Sequence, residues 1–133
     1  MQMPRPNPDV LMRKAELVRR LHAFLPSDSV ISDPVETKAY ECDGLSAYRC
    51  PPMAAVLPRS TQEVAAVLKL CHEMNVPVVP RGAGTSLAGG ALPTADSLIL
   101  GVARMNDVLE TDYENRVIKV QTGRTNLSVT GAV

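Results

Sequence analysis

Aromatic side chains are nearly missing from this chain: it has no tryptophan, three tyrosines and a single phenylalanine, Phe24. Proteins that hold single-stranded nucleic acid stack bases on such rings, so that class is excluded. Neither sign of charge is in excess, because 14 Lys and Arg balance 14 Asp and Glu. A basic footprint for nucleic acid is therefore lacking as well. No apolar run approaches the roughly 20 residues that span a bilayer. The opening Met1-Gln2-Met3-Pro4-Arg5-Pro6-Asn7-Pro8 has no hydrophobic secretory core. The expectation is a cytoplasmic chain that reaches a membrane only through partner subunits.

Cysteine is scarce too. Cys42, Cys50 and Cys71 are odd in number, which argues against a disulfide framework. They lack the C-x-x-C spacing of zinc and iron–sulfur sites, so no metal is expected. Cys71-His72 reads as a small buried hydrophobe beside a surface imidazole rather than as a ligand pair. With 133 residues, the chain has one domain's worth of length and should bury roughly two thirds of the surface of its unfolded form.

Glycine, by contrast, is concentrated. Four of the eight glycines fall within Arg81-Gly82-Ala83-Gly84-Thr85-Ser86-Leu87-Ala88-Gly89-Gly90, directly after Val76-Pro77-Val78-Val79-Pro80, which reads as a short buried strand. Backbone N–H groups left uncovered in such a loop can form a concave nest that holds a phosphate without a formal charge. Arg81 stands at the entrance, where a planar guanidinium could pair with two phosphate oxygens. A nucleoside-triphosphate loop is excluded, because Gly90-Ala91 stands where its lysine and hydroxyl belong. The dinucleotide fingerprint is excluded as well: Leu87 occupies its third glycine position, and Gly-Gly-Ala-Leu-Pro opens no helix. The loop runs instead into Leu98-Ile99-Leu100-Gly101-Val102, a second strand.

Elsewhere the pattern is α+β. Residues 1–8 read as a flexible terminus, with Asn7 and Pro8 as cap and first position of a helix. That helix carries Leu11, Ala15, Val18, Leu21 or His22, and Leu25 on its apolar face and ends near Pro26. Met53 to Leu57 reads as a buried strand, and Ser60-Thr61-Gln62-Glu63 as a capping box. The helix it opens places Val64, Val67, Leu68 and Cys71 on one face, and Asn75-Val76-Pro77 stops it. Strand, helix and strand make a parallel β-α-β unit, with the glycine loop at a carboxyl edge. A hairpin follows, Asp107–Asp112 and Val117–Val120 around a turn at 113–115, and Thr125 or Asn126 caps a last helix.

A strand, then R-G-x-G-[ST]-x-x-G-G, then a strand resembles the pyrophosphate loop of the flavoprotein family typified by vanillyl-alcohol oxidase, p-cresol methylhydroxylase and the D-2-hydroxy acid dehydrogenases. Tyr40-Glu41-Cys42-Asp43-Gly44-Leu45-Ser46-Ala47-Tyr48-Arg49, Leu70-Cys71-His72 and Arg81 through Pro93 are similar to FAD-linked subunits of bacterial glycolate oxidases. The similarity runs from about Ser32 to the end.

The resemblance implies the N-terminal subdomain of an FAD-binding domain of the p-cresol methylhydroxylase type, over 9–133. It also implies a second flavin subdomain and a substrate domain beyond this stretch. Thr85 stands where some family members carry a flavin-linked histidine, so FAD would be non-covalent. Arg81, Gly82, Ala83, Gly84, Thr85, Ser86, Gly89 and Gly90 are the cofactor-binding candidates. No catalytic residue is assigned: Glu36, Glu41, Asp43 and His72 are candidates by type alone, with solvated or capping roles favoured.

The resemblance further implies oxidation of glycolate or D-lactate, with electrons leaving through partner subunits, and a location peripheral to the inner membrane. The chain alone is expected to be inactive, and its exposed flavin side could drive homo-oligomerisation. The alternative is a non-catalytic binding or oligomerisation module that keeps the fold without flavin. For the Tyr40–Arg49 motif two roles stay open: lining the flavin or substrate side, or tying the N-terminal helix to the sheet.

Overall fold

Residues 3–132 are described by a computed structural model. Asn7 Oδ1 accepts the N–H of Asp9 at 3.0 Å and opens α1, Pro8–Met12, with proline at a position whose own N–H would be unbonded. Met1 and Gln2 lie outside the described residues, but the Asn7 N–H donates to Asp96 Oδ2 at 2.8 Å. A second helix, α2, spans Lys14–His22.

The single helix expected here is broken at Arg13, whose backbone leaves helical geometry at φ −92° and ψ 9°. That break shifts the apolar stripe. Val10, Leu17, Leu21 and Leu25 are buried and Val18 packs against them, whereas Leu11 is left exposed and Ala15 faces solvent.

Strand β1, Val30–Ile31, pairs antiparallel with β2, Ala54–Val56. Helix α3, Thr61–Glu73, follows. Its cap is the expected Ser60, whose Oγ accepts the Glu63 N–H at 3.2 Å. The returning bond goes elsewhere than a capping box would send it: Glu63 Oε2 accepts the Arg59 N–H at 2.7 Å. Val67, Leu70 and Cys71 are buried and Val64 packs beside them, while Leu68 is exposed. Asn75 enters the left-handed region at φ 52°. There the Val76 N–H reaches Cys71 O at 2.8 Å and the Asn75 N–H reaches His72 O at 3.2 Å, a Schellman ending.

Strands β3, Val78–Arg81, and β4, Leu98–Gly101, complete a four-stranded sheet in the order β1-β2-β4-β3. The β-α-β unit is therefore parallel, as expected, but β4 inserts between its two strands. β3 becomes the edge and is only half-buried, which accommodates Pro80, a residue with no N–H to give. The fully buried centre is β4, paired in parallel register with both β2 and β3.

Alternation along the strands sets the core. Ala54, Val56, Leu98 and Leu100 join the α2 and α3 side chains in one cluster, and Ala55 and Ile99 are buried on the opposite face. Strands β5, Val108–Asp112, and β6, Val117–Val120, form the expected hairpin with a bulge between Val108 and Glu110. Thr125 caps the short α4, Asn126–Thr130. Val133, the end of the expected last helix, lies outside the described residues.

Candidate flavin site

β3 and β4 run parallel, so the chain must leave the carboxyl end of one and travel back to the start of the other. The glycine loop makes that journey without a helix. Its amides are the feature that matters. The N–H groups of Gly82, Ala83, Gly84, Thr85, Ser86 and Leu87 donate to no protein acceptor among the hydrogen bonds of the described residues, and most of this stretch is exposed. Further along, the Ala88 N–H bonds Ser86 Oγ at 3.2 Å and the Leu92 N–H bonds Gly89 O at 3.2 Å.

The glycines divide into two groups. Gly84 has φ +70°, and a Cβ there would run into the Arg81 guanidinium, so the protein itself requires it. At Gly82 and Gly90 an added Cβ would meet nothing within 4 Å, and φ is ordinary. Packing does not demand glycine at those two positions. Their bare backbone leaves the approach to the loop open to a ligand.

Arg81 is partly committed inward. Its Nη1 donates to Cys42 O at 2.7 Å, and its guanidinium carbon lies 5.8 Å from the centre of the Tyr40 ring, within cation–π range. Gly44 lies against the loop from the same side: a Cβ on it would sit 2.6 Å from Thr85 O and 2.9 Å from Ser86 O. The segment 40–49 is thus a platform for the glycine loop.

That platform holds itself together. Asp43 Oδ1 accepts the Leu45 N–H at 2.9 Å, Glu41 Oε1 pairs with Arg49 Nη1 at 3.0 Å, and the Cys50 N–H donates to Glu41 O at 2.7 Å. Asp43 Oδ2 is buried without a partner among the described residues. Of the two roles left open for this motif, neither anticipated direct contact with the loop.

A cavity of about 560 Å³ lies at the carboxyl edge of β3 and β4, within the roughly 300–1,000 Å³ of small-molecule sites. Gly82 and Ala83 form one wall; Asn106, Thr122, Gly123, Arg124 and Ser128 contribute to the rest. Only the loop wall was among the sequence candidates. Gly123 was the available signal for the other: a Cβ there would strike the carbonyls of Val102 and Met105, so backbone packs tightly at that turn.

Among the described residues, no carboxylate lines the cavity. Glu36 and His72 are exposed, Glu41 is ion-paired and Asp43 is buried in its turn. No group of three or more metal-ligating side chains occurs among the described residues. The thiol of Cys71 is pushed up to about 11 by burial. Cys50 is also raised, by burial first and then by the charge of Asp96. A row of unbonded amides, glycines that leave the approach clear and a cavity free of acid groups fit the diphosphate of a dinucleotide.

A family model described as FAD binding domain matches residues 52–132. The glycolate oxidase subunit GlcD of Escherichia coli (strain K12) is 41% identical over 126 residues, which are 95% of this chain and 25% of that protein. A D-lactate dehydrogenase of Anaerostipes hadrus is 35% identical over 109 residues, 81% of this chain and 23% of that protein. The chain spans about a quarter of the length of these curated relatives. In structure, p-cresol methylhydroxylase with substrate bound superposes at a TM-score of 0.81 and 22% identity, over 98% of this chain and 26% of the other. That likeness bears on the fold alone, which is the expected one. With well over half of its length matched by the family model, this chain belongs to the FAD binding domain family.

Proposed function

We propose that this chain is the FAD-binding portion of a flavin-dependent 2-hydroxy acid oxidoreductase of the glycolate or D-lactate type, with the pyrophosphate on loop 81–90. The observation that carries the reading is the run of loop amides with no protein acceptor. Donors fixed in place and unbonded cost nothing to reorganise when an anion arrives. The identity to GlcD, spread over 95% of the chain, supports the substrate class.

FAD held non-covalently supplies a two-electron acceptor, while the protein contributes position and electrostatics. In this reading Gly82 through Ser86 give backbone N–H groups, Thr85 and Ser86 add hydroxyls, and Gly89 and Gly90 clear the exit. Arg81 keeps its remaining donors at the root of the loop. In this reading the proton acceptor for the hydroxy acid belongs to the remainder of a full-length protein. That remainder and further oxidase subunits are the partners. They would place the assembly in the cytoplasm, against the inner membrane.

Titration of FAD into the chain, followed by quenching of flavin fluorescence, tests the binding role. Turnover of glycolate and D-lactate with an artificial electron acceptor tests the full-length protein. Indifference to both FAD and ADP would remove the reading. The second reading, an association module without flavin, is favoured by Leu109, Val117 and Leu127, which are 55%, 57% and 84% exposed. It requires self-association in sedimentation with no flavin bound.

A further inference from the structure

The cavity beside the glycine loop has a second wall, and that wall carries the only ionisable side chain that lines it among the described residues, Arg124. Two nitrogens of this guanidinium are fastened to carbonyls: Nη1 donates to Asn106 O at 3.0 Å and Nη2 to Ser128 O at 3.0 Å. Nε is buried and donates to no acceptor among the described residues. No carboxylate pairs with Arg124; the ion pairs among the described residues use Arg20, Arg49, Arg59 and Arg104. Carbonyl bonds orient a guanidinium but leave its charge whole.

The backbone beneath this side chain is equally fixed. The Gly123 N–H donates to Met105 O at 2.8 Å, and that turn has no room for a Cβ. A cation is therefore held in a fixed orientation in a cavity wall, with no carboxylate among the described residues to balance its charge. Across the cavity stand Gly82 and Ala83, whose amides are also unspent. Both walls call for an anion, and the loop amides alone bring no formal charge to balance a diphosphate dianion. Arg81, the cation within the loop, is partly occupied with Cys42 and Tyr40.

We infer that Arg124 is a further binding residue of this site, supplying from the second wall the positive charge that faces the phosphates of the dinucleotide. The inference rests on the FAD reading above and deepens it. A charge-assisted contact to phosphate is stronger than a neutral one and loses strength with salt.

The test compares the unaltered chain with Arg124→Gln and Arg124→Lys, titrated with ADP and with FAD. Flavin fluorescence and the ¹⁵N–¹H signals of the loop amides and arginine Nε–H groups report binding. Arg124→Gln should weaken both ligands by roughly tenfold or more. Arg124→Lys should recover part of that loss, because it restores charge although it cannot bridge two carbonyls. In the unaltered chain the Arg124 Nε–H signal should move on addition of ADP.

A role limited to stapling Asn106 to Ser128 predicts equal losses in the two variants and a still Nε–H signal; either result overturns the inference. Undiminished ADP affinity in Arg124→Gln, with the Gly82 and Ala83 amides still responding, overturns it while leaving the FAD reading in place. No response of the unaltered chain to either ligand overturns both. Should Arg124→Gln fail to fold, the Nε–H signal of the unaltered chain decides alone.

Discussion

Arg81 donates from Nη1 to the carbonyl oxygen of Cys42 at 2.7 Å, across 39 positions of sequence. The root of the glycine loop is thereby tied to the platform 40–49, and the Tyr40 ring stands by the same guanidinium. A hydrogen bond from a charged, partly buried group contributes about 1.5–3 kcal/mol. Arg81→Gln should therefore lower stability by about 1–2 kcal/mol in denaturant unfolding. It should also weaken ADP binding, as loop amides that are no longer braced lose their fixed aim. Arg81→Lys should not restore the loop, because an ammonium lacks the planar face set beside Tyr40.

Gly44 and Gly82 make opposite demands. A Cβ on Gly44 would press on the backbone oxygens of Thr85 and Ser86, so Gly44→Ala should cost about 1–3 kcal/mol, as overpacking does. Gly82→Ala meets open space and should change stability by less than about 0.5 kcal/mol. If the loop takes phosphates, Gly82→Ala should nevertheless weaken ADP or FAD binding. Unfolding midpoints and ligand titrations on the two variants separate the effects, and unchanged binding in Gly82→Ala would remove that glycine from the site.

Local signals and long-range ones were not equally legible in the sequence. Asn7-Pro8, Ser60 with Glu63, and Thr125 each specify a helix start within four residues, and all three act as caps. The glycine loop was readable because several of its glycines, Gly82 and Gly90 among them, answer no packing demand of the protein. The strand order was not, since nothing local says that Leu98–Gly101 enters between Ala54–Val56 and Val78–Arg81. Nor could spacing reveal that Arg81 meets Cys42 or that Gly44 lies against Thr85 and Ser86, because a backbone carbonyl leaves no trace in residue type. Arg124 carried no signal in the sequence, because its carbonyl partners Asn106 and Ser128 are set by the fold and not by residue type.

The centre of the fold is Leu98, which is fully buried on β4 and pairs with Ala54 on one side and Val78 on the other. Leu98→Ala should cost about 2–5 kcal/mol. Because β4 receives the returning end of the glycine loop, the loss should appear as global unfolding in thermal denaturation. Leu68→Ala, on the exposed side of α3, should stay within about 0.5 kcal/mol of the parent.

Cys71 ties stability to alkaline pH. Burial raises its thiol from 9.0 to about 11, so the folded state favours the protonated form. The sign follows: this contribution is complete below the ordinary value of 9.0 and is lost as pH rises through about 11. Unfolding free energies measured from pH 8 upward should fall in that window, and Cys71→Ala should fall less steeply. At neutral pH a thiol reagent should label the partly exposed Cys42 before Cys71, which is buried.

Asp96 acts at the acid end. Burial alone would raise its carboxyl, but hydrogen bonds from the Asn7 N–H, Thr94 and its own N–H outweigh burial, and the net shift is downward from 3.8. A depressed carboxyl contributes stability above its unfolded value and loses it as pH falls through the folded one. The bond at stake joins Asn7, the cap of α1, to the residue pair that leads into β4. Acidification below about pH 4 should therefore loosen the N-terminal helix first, seen as faster exchange of the Asp9 and Val10 amides while the Leu98 and Ile99 amides stay protected. Asp96→Asn should cost about 0.5–1.5 kcal/mol at neutral pH and flatten the acid limb. An unchanged acid limb in that variant would show that another carboxylate controls the transition.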